Sequence, residues 1–252
     1  MNKSNILFGI IGLFAGLVIS FILTNALHNS APDPAGANVA RPDRTSQADE
    51  TQATNSSKDP SESITDEDIR GAIAKADARK DDTALQRNFG LALYQYETQT
   101  RDTSYLPDVA RFLKRAYERD PKDRDLAVAL GNVLFDIGQS SDPASFIEAR
   151  QYYLKALELK PDDADVRTDL GLTYYFGQPS DPQRAIVEYR KSLALDPRHE
   201  PTLQNLASAL ITTGNRAEAQ KRIDELQAVN PSNPSLPNLR AQLAQSRNAA
   251  QE

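Results

Sequence analysis

Asp162, Asp163 and Asp165 form a tight acidic group in a chain of 252 residues, and they are the first place to look for a metal or for acid–base chemistry. A calcium loop would need more oxygen ligands and a glycine at its bend. Carboxylates that open a helix cap its free N–H groups and face its positive dipole end, which accounts for these three without an ion. The two histidines are far apart: His28 follows a long apolar run, and His199 sits in a turn between helical stretches with no partner in sequence. The chain has no cysteine, which removes disulfides, thiolate zinc sites, haem attachment through CxxCH, a catalytic thiol and a lipidated N-terminal Cys. No HExxH, GxSxG or Walker-type loop occurs. The expectation is a protein that is not an enzyme and carries no cofactor and no metal. A net charge of -6 also argues against a nucleic-acid partner, which would require a basic face to neutralise phosphates.

What the chain does carry is a repeat. Three segments end alike, ALELKPDDADV, SLALDPRHEPT and ELQAVNPSNPS, and RAYERDPKDRDL precedes them. Their prolines at 121, 161, 197 and 231 are 40, 36 and 34 residues apart. Proline cannot continue a helix interior, so each marks the end of one helix and the approach to the next. A second landmark recurs within each period: Phe89-Gly90, Leu130-Gly131, Leu170-Gly171 and Leu206-Ala207, a large apolar residue followed by a very small one. The small residue lets a neighbouring helix pack close to the backbone. Further on, Ala149, Tyr153 and Ala156, and likewise Ala219, Ile223 and Leu226, stand at helical spacing.

This order resembles the tetratricopeptide repeat (TPR) family, whose units are helix–turn–helix hairpins of 34 residues. The resemblance covers about Asp82 to Pro234. It departs from the family at Val109 and Ser192, where the family prefers Ala, and no unit has the family's Trp. The resemblance implies an all-α fold, a right-handed α-solenoid of four repeats over about 82–233. One hairpin cannot bury its own apolar face, and stacked neighbours bury it jointly. A leading helix is expected over 64–79, started by a Thr65/Asp68 capping box and with Ile69, Ile73 and Ala76 on one face. A closing helix is expected over 234–248, with Leu236, Leu239 and Leu243 on one face. Two lengthened turns read alike, Gly138 to Pro143 and Gly177 to Pro182. In each, Gly is expected to stop the first helix, Asp to cap the second, and Pro to fit its first turn.

The resemblance also implies a concave groove lined by the first helix of each unit. The family's groove positions fall on Arg87, Leu91 and Tyr94 in the first unit, and on Val128, Asn132, Phe135 and Asp136 in the second. They fall on Thr168, Leu172, Tyr175 and Phe176 in the third, and on Gln204, Ser208 and Ile211 in the fourth. Tyr94, Phe135, Tyr175 and Phe176 stand out. Rigid aromatics are good contact residues, and the alternative is that they pack against the closing helix or the lengthened turns. The basic clamp by which some relatives hold a terminal carboxylate is not reproduced, because Leu91, Asp165 and Asp169 occupy places where Asn, Lys and Arg would stand.

Ahead of the repeats, residues 1–5 form a short tail and Ile6–Leu27 carries no charge. As a helix it would span about 33 Å, against about 30 Å of bilayer hydrocarbon. A signal anchor is expected, the rival being a cleaved signal peptide with a shorter apolar core of about 7–15 residues. Gly12 and Gly16 form a GxxxG that would allow two such helices to dimerise. Residues 28–63, rich in Ala, Pro, Ser, Thr, Asn and Asp without an aromatic, read as a disordered linker reaching about 30–36 Å. Lys3 precedes the apolar run while Arg41 and Arg44 come later, which favours a cytoplasmic N-terminus and a repeat domain on the periplasmic side of an inner membrane. The expected function is to bind a protein or peptide client as a scaffold or assembly factor. A TPR subunit of a cytochrome c maturation system and a structural homo-oligomer without a separate client are the alternatives.

Overall fold

The computed structural model describes residues 64–248. The predicted transmembrane segment 6–27 with Gly12 and Gly16, and the predicted linker 28–63, lie outside the described residues. Among the described residues no helix is long and apolar enough to cross a membrane.

The chain divides into two units, Met1–Arg79 and Lys80–Glu252. In the first, α1 spans Asp66–Ala78. Thr65 and Asp68 form its reciprocal capping box, Thr65 Oγ1 accepting from Asp68 N and Asp68 Oδ2 from Thr65 N. Its buried residues are Ile69, Ala72 and Ala76, with Ile73 half-buried beside them.

The second unit is a succession of antiparallel hairpins. The first is α2 (Thr83–Thr100) with α3 (Leu106–Arg119), and the second is α4 (Arg124–Ser140) with α5 (Ser145–Leu159). The third pairs α6 (Ala164–Phe176) with α7 (Pro182–Leu195), and the fourth α8 (Glu200–Thr212) with α9 (Arg216–Val229). A last helix, α10 (Leu236–Asn248), packs on α8 and α9, burying Leu236 and Leu239. Each of Pro121, Pro161, Pro197 and Pro231 sits in the turn between two hairpins or before α10, as proline's missing N–H requires. The turns are closed locally. Asp123 and Asp163 accept from the N–H groups of Leu126 and Val166, each at 3.0 Å, and so cap α4 and α6.

The large-then-small pairs do what their sizes permit. A Cβ on Gly131 would lie 2.4 Å from Tyr153 Cε1, and one on Gly171 would lie 2.4 Å from Tyr189 Cε1. The tyrosines of α5 and α7 therefore lie directly on the backbones of α4 and α6, 1% exposed. Within this second unit each helix also packs on the next along the chain, and first helices touch one another, α2 with α4 and α6 with α8.

The two look-alike turns fold differently. Gly177 is the C-cap of α6, and Asp181 caps α7 by accepting from Arg184 N at 3.0 Å. Gly138, by contrast, lies inside α4, which runs on to Ser140, and a Cβ there would meet the Phe146 ring at 2.9 Å. Asp142 does not cap α5, whose N-cap is Ala144; it holds the turn before it by accepting from Ala144 N at 3.1 Å. The difference traces to Pro179, which stands where the other turn has a serine. The residue before a proline is disfavoured in helical geometry, so α6 cannot run through Gln178 as α4 runs through Gln139.

Candidate protein-binding face

The first helices α2, α4, α6 and α8 stand side by side and are tied across by their side chains. Tyr94 Oη donates to Asp136 Oδ2 at 2.7 Å, joining α2 to α4. Arg124 pairs with Asp163 at the start of α6. The Phe135 and Phe176 rings meet edge to face with centroids 6.3 Å apart, joining α4 to α6. Tyr175 Oη lies 2.9 Å from Thr212 Oγ1 and 3.3 Å from Ser208 Oγ, joining α6 to α8. The result is one continuous face.

Most of the family-derived positions lie half-buried on it. Arg87 is paired with Asp123 at 3.2 Å. Asn132 accepts at Oδ1 from the buried Tyr153 hydroxyl at 2.9 Å, so a second-helix tyrosine reaches the first-helix side. Leu91, Val128, Leu172, Gln204 and Ser208 are likewise half-buried. Two positions are corrected. Thr168 is 2% exposed and Ile211 is 9% exposed, and both belong to the interior. Ile211 joins the apolar core around α8 and α9. Thr168 belongs to a buried hydroxyl group with Ser192 and Thr202, in which Thr168 and Ser192 both donate to the Ala164 carbonyl. Ser192, where the family has Ala, is thus hydrogen-bonded on both sides within that cluster.

The aromatics differ in how far their neighbours cover them. Phe135 packs edge to face on Phe146 at 5.1 Å, and Phe146, from the first turn of α5, is 3% exposed. Phe176 stacks on Phe146 and meets Tyr175, yet remains 46% exposed. The aromatic group is thus anchored by the start of α5 and presents one ring to solvent. Phe146 was missed from sequence although it stands three residues before Ala149, on the same helical spacing as Tyr153 and Ala156, a signal that could have found it.

The face is acidic at its centre. Burial raises the carboxyl of Asp136 above its usual range, against the Tyr94 hydrogen bond that favours its charge. Asp169 is pushed up to about 6, chiefly by burial and then by the charges of Asp165 and Asp163. His199 works the other way, with Nε2 2.8 Å from Asp165 Oδ1. Among the described residues no group of three or more His, Cys, Asp or Glu side chains is placed to hold a metal ion.

At one end of the face lies a cleft of about 380 Å³ between the last turns of α2 and α4. Tyr94, Glu97, Asp102, Asp136, Gln139 and Ser140 are among its lining residues. Glu97 is 2% exposed. Its Oε1 accepts from Tyr105 N at 3.0 Å, at the start of α3, while its Oε2 is buried without a hydrogen bond. Burial pushes this carboxyl up to about 7, although the N–H groups of Tyr105 and Leu106 favour the charge. Nothing in the sequence singles out Glu97. A glutamate late in a helix reads as solvated, and only the return of residues 101–105 over it makes it buried.

The comparisons with known proteins agree with this architecture. Tetratricopeptide-repeat family models match residues 145–163 and 178–243. No curated relative matches the sequence. Among solved structures, one described as YrrB, a TPR protein with an unusual peptide-binding site, superposes with a TM-score of 0.56 at 17% identity, over 69% of this chain and 84% of that one. MamA superposes with a TM-score of 0.53 at 20% identity, over 66% of this chain and 90% of that one. A tetratricopeptide repeat protein from Parabacteroides merdae gives 0.52 at 20% identity, over 64% of this chain and 60% of that one. At such identities the likeness is one of fold. With the family models, the stacked hairpins and the glycine–tyrosine contacts in agreement, the chain carries tetratricopeptide repeats, matched over residues 145–163 and 178–243.

Proposed function

We propose that the chain is a membrane-tethered interaction module whose first-helix face binds a protein or peptide segment, acting as a scaffold or assembly factor. The observation that carries the reading is Phe176, 46% exposed at the edge of an aromatic group that joins two first helices. A large ring held rigid by neighbours and left facing solvent loses little entropy on contact and removes much apolar area from water. A solved structure of similar fold is described as having a peptide-binding site, which supports the same use of this one. The tether rests on the uncharged run Ile6–Leu27, and the basic residues on either side of it favour a periplasmic repeat domain.

The test uses the full chain in cells. A photo-crosslinking amino acid at Phe176 or Ser208 should give discrete adducts, and one at Leu154, on α5, should not. Phe135→Ser combined with a Ser208 crosslinker should abolish the adducts without lowering the protein's abundance. Equal adducts from Leu154, or adducts indifferent to Phe135→Ser, would remove the binding face from this surface. A compartment-sensitive reporter fused after Glu252 tests the tether: activity on the cytoplasmic side would reverse the orientation.

A further inference from the structure

We propose that the cleft between the last turns of α2 and α4 is a subsite for a cationic side chain, lysine or arginine, of the segment bound along the first-helix face. The inference rests on that face being a peptide-binding surface and names what it selects.

The argument starts with one oxygen. Glu97 lines the cleft, is 2% exposed, and keeps Oε2 buried with no hydrogen bond. Its capping of α3 accounts for Oε1, which accepts from Tyr105 N, and leaves Oε2 unexplained. Buried acceptors in folded proteins are nearly always satisfied, because an unpaired one forfeits its hydration for nothing. A ligand that donates hydrogen bonds would restore that loss.

The charge around the cleft says which donor. Asp102 and Asp136 line it with Glu97. The helices α2 and α4 both end at it, at Thr100 and Ser140, so the negative ends of two helix dipoles converge there. The lining cation, Arg101, is exposed, has a left-handed backbone (φ 58°) and makes no ion pair or hydrogen bond among the described residues. It stands at the rim and leaves the Glu97 oxygen unsatisfied. Leu106 and the Tyr94 ring supply apolar wall, against which a long aliphatic stem can lie while its charged head reaches the carboxylates. A volume of about 380 Å³ exceeds what a bare ion needs and suits one long side chain. Tyr94 and Asp136 belong both to the cleft and to the aromatic, acidic face, so a chain lying on that face passes the cleft's mouth.

The experiment uses the full chain in detergent at pH 8 and fluorescent nine-residue peptide pools. The flanks are randomised over Leu, Phe, Ala and Ser, and the central residue is Arg, Lys, citrulline, norleucine or Glu. Fluorescence polarisation should show the Arg and Lys pools binding about tenfold or more tighter than the citrulline and norleucine pools, the scale of one charge-assisted hydrogen bond. Glu97→Gln, which keeps an acceptor for Tyr105 N, should reduce the preference to about threefold or less. Asp136→Asn, which keeps an acceptor for Tyr94, should act the same way and serves if the first variant melts early. Pools that bind, lose binding with Phe135→Ser and show no preference for Arg over citrulline would overturn the subsite and leave the binding face standing. A basic preference untouched by both carboxylate variants would likewise overturn it. Binding of no pool at all would remove the face and the subsite together.

Discussion

Replacing Gly131 by alanine tests the packing rule on which the hairpins rest. An added Cβ would lie 2.4, 2.6 and 2.9 Å from the Cε1, Cδ1 and Cζ atoms of Tyr153. The ring has nowhere to retreat, being 1% exposed with its hydroxyl held by Asn132. Overpacking of a tight core costs about 1–3 kcal/mol, and the closeness of three ring carbons puts this site at the upper end. Alanine returns about 1 kcal/mol of helix propensity. The net loss is about 2 kcal/mol, a fall in Tm of about 4–8 °C for a domain of this size. Gly71 in α1 is the control: no atom lies within 4 Å of its would-be Cβ, so the same substitution leaves only the propensity gain and should hold or raise helicity. The assay is circular dichroism melting of the full chain, with a double-mutant cycle. In the Tyr153→Leu background the cost of Gly131→Ala should shrink by about 1 kcal/mol or more. An equal cost in both backgrounds, or a Gly131 variant as harmless as the Gly71 one, would refute the reasoning.

Glu97→Gln makes a pH-dependent prediction. The folded carboxyl titrates at about 7, raised by burial and by the charges of Asp102 and Asp108, so between its ordinary value and 7 the folded state binds the extra proton. Wild-type stability should therefore fall as pH rises through that window, and the variant should melt higher than wild type at pH 8 with the gap closing by about pH 4; a constant gap across pH would contradict the assignment. Ser192→Ala restores the residue the family prefers, yet should destabilise by about 1 kcal/mol because Ser192 bridges Thr168, Thr202 and the Ala164 carbonyl. A urea midpoint that rises in that variant would show the hydroxyl cluster to be dispensable.

The hairpins were legible because their signals are local. A proline after each second helix, a small residue one step past a large one, and apolar residues at helical spacing each constrain the chain over a few turns. Those constraints survive whatever packs on top. The capping box at Thr65 and Asp68 was readable for the same reason, since both partners lie within one turn. The look-alike turns mark the limit: Gly138 and Gly177 read the same, and one proline two residues on decided which of them ended its helix.

The proposed binding face was legible only as a set of positions. The family resemblance placed Thr168 beside Leu172 and Tyr175 and could not say that Ser192 and Thr202 would enclose it. Ile211 was drawn inward by the core of α8 and α9, which no single helix contains. Phe146, Asp169 and Glu97 gained their environments from other parts of the chain: Phe135 and Phe176 for the first, Asp136 and His199 for the second, the turn at 101–105 for the third. The sequence alone determined that this chain would stack helical hairpins and which side chains would share a helix face, because those follow from spacing along one chain. Burial, charge coupling and an unpaired oxygen arise only when separate helices meet, and those the tertiary structure decided.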